Sequence, residues 1–109
     1  MEIGKIYKKN IKITDNKIKL FKKITLDKNP IHENQNLAKK FGFKGPIAHG
    51  MLAGSLLSNI IGNEIPGAGA LWTDCNITFS KPVFRNDILS FESKILKISY
   101  STLTLVLLV

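Results

Sequence analysis

A chain of 109 residues, 44% hydrophobic and 22% charged, suits one globular domain with one core and excludes a disordered protein. Its net charge of +8 lies on scattered lysines with no basic helix or aromatic platform, which favours a solvated surface over a nucleic-acid interface; the charge also suits attraction of an anionic ligand or an acidic protein. The single cysteine, Cys75, excludes an internal disulfide and fits a cytoplasmic setting, and no apolar run approaches the roughly 20 residues of a membrane helix.

Residues 5–13 and 17–24 are short, Ile-rich and Lys-rich, with Asp15-Asn16 between them as a turn signal. Ile11 and Ile13 alternate with Lys12, and Ile18 and Leu20 alternate with Lys17 and Lys19, so two strands, or one strand and an irregular segment, are expected. Asn29 precedes Pro30 and is pushed toward extended geometry, which rules out regular helix over 27–30. Residues 34–41 read as a short helix capped by Asn34 and ended by Gly42.

Residues 49–61 form the one long apolar helix expected. Met51, Leu52, Leu56, Leu57, Ile60 and Ile61 cover most of its circumference, so burial on nearly every side is predicted, with Gly62 as the stop. Gly50, Gly54 and Ser58 recur every four residues as a small-residue stripe. Pro66-Gly67-Ala68-Gly69 is a turn. Residues 71–79 alternate as a strand, with Leu71, Thr73, Cys75, Ile77 and Phe79 on one face and Cys75 read as a core residue. A connection follows at Pro82 and Arg85-Asn86-Asp87. Strands are expected over 88–98 and 101–109, the latter with Leu103, Leu105, Leu107 and Val109 on one face. A buried helix among strands that mostly follow it predicts an α+β domain, a curved antiparallel sheet wrapped round the helix. Such a sheet has an open edge, and pairing of two copies through it is expected.

The residues able to do chemistry lie in two segments. Asp27 and His32 stand five apart in Asp27-Lys28-Asn29-Pro30-Ile31-His32, which places a carboxylate and an imidazole on one proline-stiffened turn. That pair suits proton transfer near neutral pH, although Asp-x-Asn-Pro is also ordinary turn chemistry. Asn29 has the turn-closing reading as well. Gly50 opens the apolar helix, where backbone N–H groups are unpaired, so it either admits a ligand oxygen or lets a strand pack closely. Ser58 either faces the same way or bonds back into its own helix. His49 is read as structural. Two histidines without His-x-x-x-His spacing, and no cysteine pair, argue against a protein-only zinc site; neither a metal nor another cofactor is expected.

Together, Asp27-Lys28-Asn29-Pro30-Ile31-His32, Ala38, Gly45-Pro46-Ile47-Ala48-His49-Gly50-Met51-Leu52, Pro66-Gly67, Phe79-Ser80-Lys81-Pro82-Val83 and Asn86-Asp87 resemble the MaoC-like (R)-specific enoyl-CoA hydratases, over about residues 20–98. The resemblance implies a single hot-dog domain over 1–109, usually homodimeric or a higher homo-oligomer, acting without a cofactor. It implies reversible addition of water to a trans-2-enoyl thioester of CoA or of acyl-carrier protein. Asp27 and His32 would hold and activate the water. The Gly50 N–H would face the thioester oxygen, Ser58 would supply a further polar group, and Asn29 would orient the turn. A truncated non-catalytic acyl-thioester-binding subunit, a hydroxyacyl-carrier-protein dehydratase and a thioesterase are the other readings. Three departures stand out. Thr25-Leu26 replaces a small pair such as Ser-Gly before the aspartate, Asn86-Asp87 replaces the usual Gly-Asp after the Pro-Val segment, and one strand fewer than the family pattern is expected at the C-terminal end.

Overall fold

The structure, a computed structural model, describes residues 3–98 and 103–108. In chain order they form β1 (Ile6–Lys12), α1 (Asp15–Thr25), a 3₁₀ turn over Pro30–His32, α2 (Gln35–Lys40), α3 (Gly50–Asn63), β2 (Ile88–Ile98) and β3 (Leu103–Leu108). These residues divide into two compact units. One comprises Met1–Ile11, Ser55–Asn76 and Leu89–Val109, and the other Lys12–Gly54 and Ile77–Ile88.

The first unit holds a three-stranded sheet in the order β1-β2-β3. Gly4 N–H donates to the Ile95 carbonyl, whereas Asn10 accepts from Ser90, so β1 and β2 run antiparallel. β2 and β3 are antiparallel too, from Glu92 opposite Leu108 to Ile98 opposite Leu103. An irregularity between Ile95 and Lys97 makes room for the extra residue Leu96. The period of two along β2 turns Phe91, Ser93 and Ile95 inward. Phe91 meets Ile11 of β1 and Leu57 and Ile60 of α3, which form the core of this unit. Each such side chain contributes about 1.5–3 kcal/mol on burial. The strands expected over 5–13 and 88–98 are therefore present. The side-chain faces expected at Leu103, Leu105, Leu107 and Val109 lie outside the described residues.

Four expectations for α3 and the residues after it are corrected. Helix α3 runs through Gly62 to Asn63. Its end is set further on, where Ile65 N–H bonds the Ile60 carbonyl and Gly67, at φ +87°, bonds that of Ile61. Nor is α3 buried on nearly every side, because Met51, Ser58 and Asn59 are exposed. The strand expected over 71–79 does not form: among the described residues, 71–80 have no ladder hydrogen bonds and are almost all exposed. Alternation gives a strand its side-chain pattern but not a partner for its N–H and C=O groups. Cys75, expected in the core, is exposed for the same reason.

The second unit contains the largest correction. Residues expected as a strand over 17–24 belong to helix α1. Thr14 caps it by accepting from Lys17 N–H, Asp15 lies in its first turn, and Lys22 and Lys23 lie in its last, all favourable to the helix dipole. An Asp15–Lys19 ion pair at 2.9 Å adds i,i+4 support. The Ile18/Leu20 alternation was misleading, since Ile18 is 8% exposed and Leu20 51%. Helix α2 has the predicted ends: Asn34 Oδ1 accepts from Leu37 N–H, and Gly42 follows at φ +89°. The connection at 85–87 is a turn in which Asn86 adopts φ +70° and bonds the Ile13 carbonyl. Among the described residues, no helix is long and apolar enough to cross a membrane.

Candidate active site

The site is built where α1 ends. Leu26 takes a left-handed conformation (φ 60°, ψ 18°), and its N–H closes the helix on the Lys22 carbonyl at 2.8 Å. This reverses the chain directly into Asp27. The Leu26 side chain is 72% exposed, so it crowds nothing. Its cost is in the backbone, about 1–2 kcal/mol for a residue with a Cβ.

From Asp27 each polar group closes the next step of the turn. Asp27 Oδ1 accepts from Asn29 N–H at 3.0 Å, and Asn29 Oδ1 accepts from Ile31 N–H at 3.2 Å. His32 N–H returns to the Asn29 carbonyl at 3.1 Å. Asn29 is thus the cap of the 3₁₀ turn. One carboxylate oxygen of Asp27 is spent on the turn. The other, Oδ2, faces His32 Nε2 at 3.9 Å.

His32 is oriented from behind. Its Nδ1 lies 2.8 Å from the Ile47 carbonyl. A carbonyl only accepts, so Nδ1 carries the proton and Nε2 of the neutral ring presents a lone pair toward Asp27. Ile47 is itself fixed, donating its N–H to the Ile31 carbonyl at 3.2 Å and bridging to Phe84, while Ala48 N–H bonds the Val83 carbonyl at 2.7 Å.

The same clamp carries His49 and Gly50. His49 is 3% exposed, and its ring stacks on that of His32 at 3.8 Å between centroids with 28° between planes. Its Nε2 is 3.3 Å from the Asp27 carbonyl. Gly50 is the first residue of α3, and its N–H has no hydrogen-bond partner among the described residues. A Cβ built there would lie 3.2 Å from the Phe79 ring, and one at Gly54 would lie 3.3 Å from Ile77 Cδ1. The small-residue stripe therefore admits close packing of residues 77 and 79.

Asp27, Asn29, His32 and Gly50 all fall in the second unit. Ser58 falls in the first, on an exposed position of α3. His49 was read as merely structural, yet it touches both members of the Asp27/His32 pair.

Asp27, His32 and His49 bring three donor atoms within 4.8 Å of one another, a grouping that the 17-residue gap between the histidines hid from the sequence reading. The donor chemistry fits a cation poorly. Lone pairs lie in the plane of each ring, so two stacked rings aim them side by side instead of at one point, and with His32 Nδ1 and His49 Nε2 committed to carbonyls each ring has a single lone pair left.

At the edge of the site, Lys22 bonds the Glu33 carboxylate and holds it below its ordinary value of 4.5. At the other end of α1, Lys19, and then the Arg85 charge, hold Asp15 below its ordinary 3.8.

Comparison with known proteins follows the same lines. A family model described as "MaoC like domain" matches residues 2–102. The (R)-specific enoyl-CoA hydratase of Rhodospirillum rubrum is 38% identical over 71 residues, 65% of this chain and 49% of that protein. That of Aeromonas caviae is 30% identical over 95 residues, 87% of this chain and 71% of that one. The chain thus spans between about half and three quarters of these relatives' length. The solved structure of an (R)-hydratase from A. caviae involved in PHA biosynthesis superposes with a TM-score of 0.89 at 28% identity, covering 98% of this chain and 83% of that one. The fold is the α+β hot-dog fold, and the chain belongs to the MaoC-like domain family.

Proposed function

We propose that this protein is a hydro-lyase that reversibly adds water to a trans-2-enoyl thioester, giving an (R)-3-hydroxyacyl thioester. The observation that carries the reading is the gap between Asp27 Oδ2 and His32 Nε2. Both are hydrogen-bond acceptors, and they stand 3.9 Å apart. One water can donate a proton to each with legs of ~2.8 Å, which leaves its oxygen lone pair directed at substrate C3. As the C3–O bond forms, His32 Nε2 takes one proton of the water. The π electrons move toward the thioester carbonyl, and C2 receives a proton from the pair. The enolate oxygen would be met by the Gly50 N–H at the positive end of α3, a donor worth about 3–4 kcal/mol in the transition state. Asn29 holds the turn, and Ser58 is proposed as a further polar group on α3.

The charge bears on how the thioester is delivered. The unit that carries Asp27 and His32 has 11 Lys and Arg against 4 Asp and Glu, +7 of the chain's +8. That surface favours an anionic carrier, whether CoA with its phosphates or an acidic carrier protein. Comparing turnover of the two esters, and its fall with salt, separates them. We extend the proposal to pairing of two copies, motivated by the exposed Leu71 and Trp72. A monomer at micromolar concentration in sedimentation would contradict that part.

The test of the reaction is incubation with crotonyl-CoA. Loss of the conjugated thioester absorbance with formation of the (R)-3-hydroxy product supports the reading. Folded protein that leaves the absorbance unchanged over hours overturns it, and acyl-CoA binding without turnover would favour a binding subunit.

A further inference from the structure

We propose that His49 is a positioning residue of this site, holding the Asp27 main chain through its Nε2–H and setting the plane of the His32 ring by stacking. The inference rests on the hydratase reading above. The Asp27 carbonyl can only accept, so His49 Nε2 bears the proton of that 3.3 Å contact. Nδ1 of the same ring is then a lone pair. It is buried and has no hydrogen-bond partner among the described residues. A residue kept only for packing would not carry an unpaired buried nitrogen, because a phenyl ring of similar shape would fill the space without it.

What His49 does with its remaining contacts is specific. Its ring lies between Phe21, tilted at 5.2 Å and 57°, and His32, stacked at 3.8 Å. Nε2–H reaches the one carbonyl of the turn that belongs to Asp27. The Asp27 side chain is half exposed and bonds only Asn29 N–H within the turn, so its second oxygen depends on the main chain for its place. His49 therefore fixes the carboxylate from the main-chain side, as the Ile47 carbonyl fixes His32 from Nδ1. The two sides of the 3.9 Å gap are held by neighbouring residues of one segment.

Two substitutions separate the contacts. His49→Phe keeps a ring for the stack and loses the donor. His49→Gln loses the ring and keeps an N–H at about the reach of Nε2. Crotonyl-CoA kinetics and amide hydrogen exchange are measured on both and on the wild type. The expected result for His49→Phe is a fall in kcat of roughly 10- to 100-fold with KM little changed. Exchange at the Asn29 and His32 amides speeds up, while the core amide of Phe91 keeps its protection. His49→Gln recovers most of kcat. Wild-type kcat and turn exchange in His49→Phe would overturn the proposal, as would a folded His49→Gln no better than His49→Phe. If the wild type itself shows no turnover, the hydratase reading has failed. The exchange data then decide alone, and an unchanged turn in His49→Phe contradicts the positioning role.

Discussion

His32 Nε2 faces Asp27 Oδ2 across 3.9 Å, while His32 Nδ1 is held by the Ile47 carbonyl. The second contact gives the first its meaning. With Nδ1–H spent, a neutral His32 can only accept at Nε2, and two acceptors across such a gap call for a donor of two protons between them. The account predicts how the residues around this gap respond to change.

Leu26 pays for the turn with a left-handed backbone. Replacing Leu26 with Gly removes the Cβ penalty, partly offset by the greater freedom of glycine in the unfolded chain. The expected gain is up to about 1 kcal/mol, read as a higher urea midpoint at unchanged slope. Because the side chain is exposed, no packing is lost. Leu26→Val, branched at Cβ, should lower the midpoint.

Gly50→Ala adds a Cβ 3.2 Å from the Phe79 ring. Alanine favours helix by about 1 kcal/mol over glycine, so stability should change little while the ring is pushed aside. The start of α3 shifts with it, and the proposed oxyanion donor moves. Turnover should fall at least tenfold by the arithmetic of a weakened donor, with the thermal midpoint nearly unchanged. Full activity in Gly50→Ala would remove Gly50 from the mechanism.

Ser93 sits on the inward face of β2 between Phe91 and Ile95, fully buried, with no partner for Oγ among the described residues. Removing the hydroxyl relieves an uncompensated polar group. Ser93→Ala should stabilise by about 1 kcal/mol without affecting turnover. Equilibrium unfolding checks the first part and kinetics the second.

Glu33 gives the pH dependence its sign. Lys22 holds its carboxyl below the ordinary value, so the unfolded chain takes up a proton before the folded one as pH falls. The stabilisation is therefore complete above the unfolded value of 4.5 and is lost as pH drops through the lower folded value. The thermal midpoint of Glu33→Gln should lie slightly below wild type at neutral pH and converge with it once the pH has fallen below the folded carboxyl's lowered value. The effect is small because the pair is largely exposed.

How much of this was legible in the sequence depended on whether a local rule had a competitor. The ends of α2 were readable because Asn34 and Gly42 act within their own turns. The strand at 88–98 was readable because its period of two matches the face it buries. α1 was not. Ile18-Lys19-Leu20 alternates like a strand, while Thr14, Asp15 and the i,i+4 pair to Lys19 favour a helix, and capping prevailed over a three-residue alternation. The 71–79 segment failed in the opposite way, since its pattern was right for a strand and the partner was what it lacked. At the site, the turn chemistry of Asp27, Asn29 and Pro30 could be read from spacing. The stack of His49 on His32 could not, because 17 residues separate them and only the clamp of Ile47 and Ala48 onto residues 31 and 83–84 brings the rings together.

The most direct test is the initial rate of crotonyl-CoA hydration by wild type, Asp27→Asn and His32→Ala, each checked for folding. If the two groups share the attacking water, each substitution should cost at least 10²-fold in kcat, the scale of a lost general base, while acyl-CoA binding changes little. A folded Asp27→Asn or His32→Ala with wild-type kcat would contradict the shared-water site.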